Sequence, residues 1–239
     1  MPIIKGKGTF MTLISGAYKG SFFTGGSNDV WVQSLSYGPA WKSETQSAFG
    51  SNDPVSVDDT YDGISCSFDI IETASKMALE ILTRQTIGSG VGFDPSLFNT
   101  AYLVANFKDT KWVTGGAAAD EYIGSVLLKG LKVVAADTSS AVDGVQTKKF
   151  DFDGTGVIEY SLPLLVDIFT SAGGGNEAFT LSETASAYPT GAYAQLVMVE
   201  DAVQSKAAGD YTETATAVTI VADIGASKTV TVIYPYVPT

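Results

Sequence analysis

The sequence has no histidine, a single cysteine and only fourteen lysines and arginines in 239 residues. Lacking histidine, the chain has neither the commonest general base nor the commonest metal ligand, so no Ser-His-Asp triad can form. With Cys66 alone, no intrachain disulfide can staple the fold. The shortage of bases against 26 acids gives a formal charge of −12 and a pI near 4.3, which argues against sequence-reading contact with nucleic acid. Long hydrophobic runs are missing too. The nearest, Leu162 to Phe169, is interrupted by Pro163 and Asp167 and falls well short of the ~18 apolar residues of a membrane span. The first residues, Met1-Pro2-Ile3-Ile4-Lys5, lack the apolar core of a signal peptide. The expectation is a soluble protein made and held in a cytoplasm until it assembles, with no enzymatic activity.

What is present points to β structure. Apolar residues make up 45% and charged residues 17%, enough to build a core in one large β domain or one domain plus an appendage. The clearest stretch runs from Asp62 to Arg84. Ile64, Cys66, Phe68 and Ile70 alternate with Ser65, Ser67 and Asp69, the period of a strand with one buried and one wetted face. Cys66 is therefore expected as a buried small hydrophobe. At Glu72 the period changes: Ala74, Met77, Ala78, Ile81 and Leu82 form one helical stripe. Thr73 is a candidate N-cap, Glu72 and Arg84 suit the two ends of the helix dipole, and Gly88-Ser89-Gly90 is a stop signal. One short helix over about residues 72–84 is predicted, with Met77, Ile81 and Leu82 buried on a sheet.

Elsewhere the chain reads as strands and loops. Residues 1–28 suggest an extended arm or a strand with loose ends, and Val30 to Tyr37 a strand ended or kinked by Gly38-Pro39. Lys42 to Thr60 reads as a long exposed loop. Strands are expected over Thr100 to Lys108 and over Tyr122 to Val134, the latter with a bulge at Gly130. Val145 to Phe152 leads to an Asp153-Gly154 turn, and Val157 to Thr170 reads as a buried strand bent at Pro163. Gly173-Gly174-Gly175 marks a linker or loop tip, and four Thr- and Val-rich strands follow it. The domain reading is a β domain over 1–170 and a β-rich C-terminal extension or small second β unit over 171–239. Residues 150–239 hold eleven acids against Lys206 and Lys228.

No motif carries chemistry. Gly6-Lys7-Gly8-Thr9 lacks the spacing of a phosphate loop, and Gly88-Ser89-Gly90-Val91-Gly92 follows a helix instead of opening one. Asp151-Phe152-Asp153-Gly154 lacks the remaining ligands of a calcium loop, and a hairpin turn accounts for it. Asp58, Asp59 and Asp62 fit a solvated acidic loop better than a cation site. Trp31, Trp41 and Trp112 are too dispersed for a ligand cage; core or subunit contact suits them. No catalytic, cofactor-binding or metal-ligating residue is assigned.

Tyr61-Asp62-Gly63-Ile64-Ser65-Cys66-Ser67-Phe68-Asp69, its following helix, and Lys148-Lys149-Phe150-Asp151-Phe152-Asp153-Gly154-Thr155-Gly156 give residues 1–170 an organisation that resembles the major tail (tail tube) proteins of long-tailed bacteriophages. The resemblance implies a mainly β fold, a β-sandwich or partial barrel with one short helix. It further implies a virion structural protein whose copies join sheets into hexameric rings. The rings would stack into a tail tube that conducts DNA without binding it specifically, with other tail proteins as further partners and no membrane partner. The alternative is a capsid decoration protein or a carbohydrate-binding β module.

Overall fold

The computed structural model describes residues 10–23, 32–47, 54–86, 95–109, 121–140, 146–187 and 191–237. Its elements in chain order begin with β1 (Phe10–Ser15), β2 (Tyr18–Phe23), β3 (Val32–Ser47), β4 (Pro54–Ile71) and the helix α1 (Glu72–Thr83). A 3-10 turn at Pro95–Leu97 precedes β5 (Ala101–Asp109), β6 (Glu121–Ser140), β7 (Gln146–Gly154) and β8 (Gly156–Tyr160). The remainder comprises β9 (Leu164–Thr170), β10 (Glu177–Thr180), β11 (Leu196–Val199), β12 (Ala202–Val203), β13 (Tyr211–Glu213), β14 (Ala217–Ile220) and β15 (Thr229–Pro235). Among the described residues the fold is mainly β with one α-helix, and the sheets do not close into a barrel.

The framework of the first half is a long antiparallel ribbon. β6 pairs with β7 through its C-terminal part and with β8 through its N-terminal part, so β7 and β8 act as one strand bent at Thr155. The bend has its counterpart in Gly130, whose φ of +60° suits a residue without Cβ; beside it the β5 register slips between Ala101 and Leu103. A first sheet, β2-β1-β5-β6-β8, extends from one half of this ribbon, and a second, β6-β7-β4-β3, from the other. The 64–70 alternation appears as expected: Ile64, Cys66, Phe68 and Ile70 are buried while Ser65 is exposed and Ser67 and Asp69 are partly so. Cross-strand pairing sets Phe68 opposite Phe150 and Cys66 opposite Phe152, with ring centroids 5.4 Å and 5.2 Å from Phe68 to the two phenylalanines. Fully burying each such ring is worth about 1.5–3 kcal/mol.

The helix α1 packs against β1, β2, β4 and β7, so it bridges both sheets over their shared core. Ala78, Ile81 and Leu82 are buried, and so is Leu79, which lies off the predicted stripe. Met77 corrects the expectation. It lies over Gly20 of β2, at the open edge of the first sheet, and stays 36% exposed. The helix ends before the Gly88 signal: Arg84 adopts φ +57°, and the Gln85 amide closes on the Glu80 carbonyl at 3.2 Å. Gly88-Ser89-Gly90 lies outside the described residues.

Four further expectations are corrected. β3 continues through Gly38 and Pro39 to Ser47, because an edge strand tolerates a proline that cannot donate. Residues 42–60 are not a loop: β3 and β4 stay paired from Trp41↔Tyr61 out to Ser47↔Pro54, a hairpin arm whose connecting residues 48–53 lie outside the described set. Asp153-Gly154 is no hairpin turn, since the chain runs on into β8. The Val157 to Thr170 stretch splits into β8 and β9 around Ser161–Pro163, and these two strands join different sheets.

The outer face of the first sheet is covered by a third sheet, β12-β11-β15-β9, through Ile14, Val104, Leu127, Leu164, Met198 and Ile233. Asn106 fixes that junction, donating to the Leu164 carbonyl at 2.9 Å and accepting from its amide at 2.8 Å. The other face of the third sheet packs on a fourth, β10-β14-β13, around Phe179, Val218, Val230, Val232 and Tyr234. Gly173-Gly174-Gly175 forms the connection from β9 to β10, with Gly173 and Gly174 donating to Ser171 and Asp223.

Candidate assembly surface

The outer face of the second sheet is polar in every row. Reading across β3, β4, β7 and β6, one row is Gly38, Ser65, Asp153 and Lys132; the next is Ser36, Ser67, Asp151 and Ala135. A third is Ser34, Asp69, Lys149 and Asp137. Side chains bond along these rows: the Ser34 hydroxyl donates to Asp69 at 2.6 Å, and Ser36 and Ser67 share a 2.8 Å bond. Lys149 pairs with Asp151 of its own strand at 2.9 Å, and that bond raises the Lys149 pKa. Four carboxylates against two ammonium groups leave the face negative. A shallow open depression beside Gly38 is lined by Ser36, Ser65, Ser67, Asp151 and the exposed Val134.

Among the described residues both lateral edges of this sheet are open. β3 ends the strand order, and residues 132–140 of β6 pair only with β7 among the described residues, because β5 leaves β6 at Leu131. Beyond the sheet, residues 54–63 of β4 pair only with β3 among the described residues. The separation occurs at Gly63, whose φ of +104° and close approach to the Gly154 carbonyl leave no room for a side chain. The arm it starts is a two-stranded ribbon about 20 Å long. At its base stand Trp41 and Tyr61, 61% and 47% exposed, packed edge-to-face with centroids 5.7 Å apart.

The inner side of the same edge is closed by Tyr37, whose hydroxyl donates to Glu159 of β8 at 3.0 Å. Burial first, then that carboxylate, pushes its pKa up to about 12. The Cys66 thiol is likewise pushed up to about 12, by burial and then by Asp151.

The remaining sequence candidates do not converge. Asp58 and Asp59 fall opposite Glu44 and Ser43 on the arm, and Asp62 at the register break. Asp151 and Asp153 lie along extended β7. Gly6-Lys7-Gly8-Thr9, Gly88 to Gly92, Trp31 and Trp112 lie outside the described residues. Among the described residues no group of His, Cys, Asp and Glu side chains could hold a metal, and no helix is long and apolar enough to cross a membrane. Sequence reading missed the 132–140 edge, because past Val134 the run Ala135-Ala136-Asp137-Thr138-Ser139-Ser140 has no apolar alternation to mark a strand. It also missed Arg84, which reaches Ser15 at 2.9 Å and forms a two-pronged ion pair with Asp201 in the turn after β11.

No family model and no curated protein matches the sequence. Among solved structures, an Hcp protein is similar over 65% of this chain and 92% of its own, at 13% identity and a TM-score of 0.37. A likeness of that strength carries no argument about function.

Proposed function

We propose that this chain is a virion structural protein, a tail tube subunit of a long-tailed bacteriophage. In this reading it is made in the host cytoplasm and assembles with copies of itself into hexameric rings stacked as a tube. The supporting observation is the second sheet, with two open edges, one polar negative face and a projecting ribbon. A sheet with exposed backbone groups on both lateral edges is a hazard for a lone subunit and a joining device for a ring. Joining β3 of one copy to residues 132–140 of the next repeats the same heterologous contact around the ring. The faces of Ser36, Ser65, Ser67, Asp69, Asp151 and Asp153 then turn inward, where repelled phosphates slide and do not bind. The ribbon would reach the neighbouring subunit or ring, and its two strands would gain there the partners that an isolated two-stranded hairpin needs.

In the same proposal residues 1–170 build the tube and 171–239 are an extension, with β9 the strand that ties them by pairing with β15. The test is deletion of Ser47 to Val57. The expected outcome is a folded subunit, by circular dichroism, that makes no tubes or short ones by negative-stain microscopy. Normal tubes from the deletion variant would remove the ribbon from the assembly.

A further inference from the structure

Six of the eight acids in residues 164–237 are engaged one by one with loop backbone. Asp167 accepts from the Ser182 amide and hydroxyl, each at 2.8 Å. Glu177 accepts from the Ala172 amide at 2.7 Å and the Ser171 hydroxyl at 2.8 Å. Asp223 accepts from the amides of Gly174 at 3.0 Å and Gly225 at 2.9 Å. Glu200 holds the Thr229 amide at 2.9 Å, and Asp210 the Ser205 amide at 2.8 Å. Glu213, whose side chain is 1% exposed, holds the amides of Tyr193 and Ala194 at 3.0 and 2.8 Å and pairs with Lys206 at 2.6 Å. Asp201 takes Arg84.

We infer that the acidic surplus of this half is a set of loop clamps, not a docking surface for a basic partner, and that Glu177 and Asp223 make the crossing of the 171–177 and 221–227 segments acid-sensitive. A carboxylate accepts such bonds at full strength only when ionised, and charge-assisted bonds to backbone amides are roughly twice as strong as neutral ones. The sharpest case is the crossing of the 171–177 and 221–227 segments. The Ser171 hydroxyl lies within donating reach of both Glu177 and the Gly225 carbonyl, which share its one proton, and the Asn176 amide reaches the Val221 carbonyl at 3.1 Å. Glu177 and Asp223 face each other across it, so mutual repulsion opposes the clamps. The bonds win: the Ala172 amide and then Ser171 hold Glu177 below the usual carboxylate range, and the Gly225 and Gly174 amides do the same for Asp223. With folded pKa values depressed, the stabilisation is present above the unfolded values and is lost as pH falls through the folded ones. Elsewhere the facing groups are Lys206 and Tyr211 at Glu213, Tyr234 at Asp167, and Arg84 and Tyr102 at Asp201.

The inference rests on this geometry and is independent of tube assembly. Its test is hydrogen exchange by mass spectrometry on the full chain, wild type against the E177Q/D223N double variant, with rates corrected for intrinsic pH dependence. At pH 7 the variant's 171–176 and 221–227 segments should exchange about tenfold faster than wild type, with β4 and β7 unchanged. As pH is lowered stepwise toward ~2 the gap should close, because the wild-type carboxylates become protonated only on passing below their depressed folded values. Equal protection at pH 7 overturns the inference, as does a gap that persists undiminished in acid. If the double variant does not fold, D223N alone gives the same comparison across pH. Polylysine binding that is lost in the variant without any change in protection would assign these acids to a partner surface instead.

Discussion

Replacing Leu82 by alanine tests the packing of the one helix on both sheets. Leu82 is fully buried in the core that also holds Met11, Phe68 and Phe150. The substitution removes three carbons, about 2.4 kcal/mol of transfer free energy at ~0.8 kcal/mol per group. A cavity in a core built from rigid strands collapses only partly, which brings the expected loss to about 2–5 kcal/mol. For a chain of this size that corresponds to a fall in melting temperature of roughly 5–15 °C. Met77, one turn earlier and 36% exposed, is the internal control, and Met77→Ala should cost less than about 1.5 kcal/mol. Thermal denaturation followed by circular dichroism reads both. A Leu82→Ala melt that matches wild type, or a Met77→Ala loss as large as that of Leu82→Ala, would refute the placement of α1.

Two more outcomes follow from single side chains. With its thiol pushed up to about 12, Cys66 should resist a thiol-reactive disulfide reagent at pH 8 in the native protein and react promptly in guanidinium; native labelling at the denatured rate would contradict its burial. Thr231 is fully buried between the first and third sheets with no hydrogen-bond partner for its hydroxyl, so Thr231→Val should raise stability by about 1 kcal/mol in urea titration. A loss there would mean that the hydroxyl has a partner.

The parts of the fold that were legible in the sequence are those where one face is wet and the other dry. The Ile64 to Ile70 alternation and the stripe through Ala78, Ile81 and Leu82 record burial on a single side, and a period survives only under that condition. The arm beyond Trp41 left no such record: its polar run has no apolar period and reads as a loop, although β3 and β4 stay paired along it. Asp153-Gly154 misled for a different reason. The chemistry that favours a tight turn also serves a bent strand, and only the pairing of β6 with both β7 and β8 separates the two. Tertiary engagements such as Arg84 with Asp201 span 117 positions and have no local signature. The face of the proposed assembly was half visible: Ser65, Ser67 and Asp69 announced a wetted surface, while the edge proposed to join subunits depends on where β5 departs from β6.

The central claim is self-assembly through the second sheet, and negative-stain electron microscopy of the purified wild-type protein at high concentration tests it most directly. The account predicts rings of about one subunit's height with an open centre, stacking into hollow tubes. A uniform population of small particles at every concentration, and again during virion assembly, would contradict it.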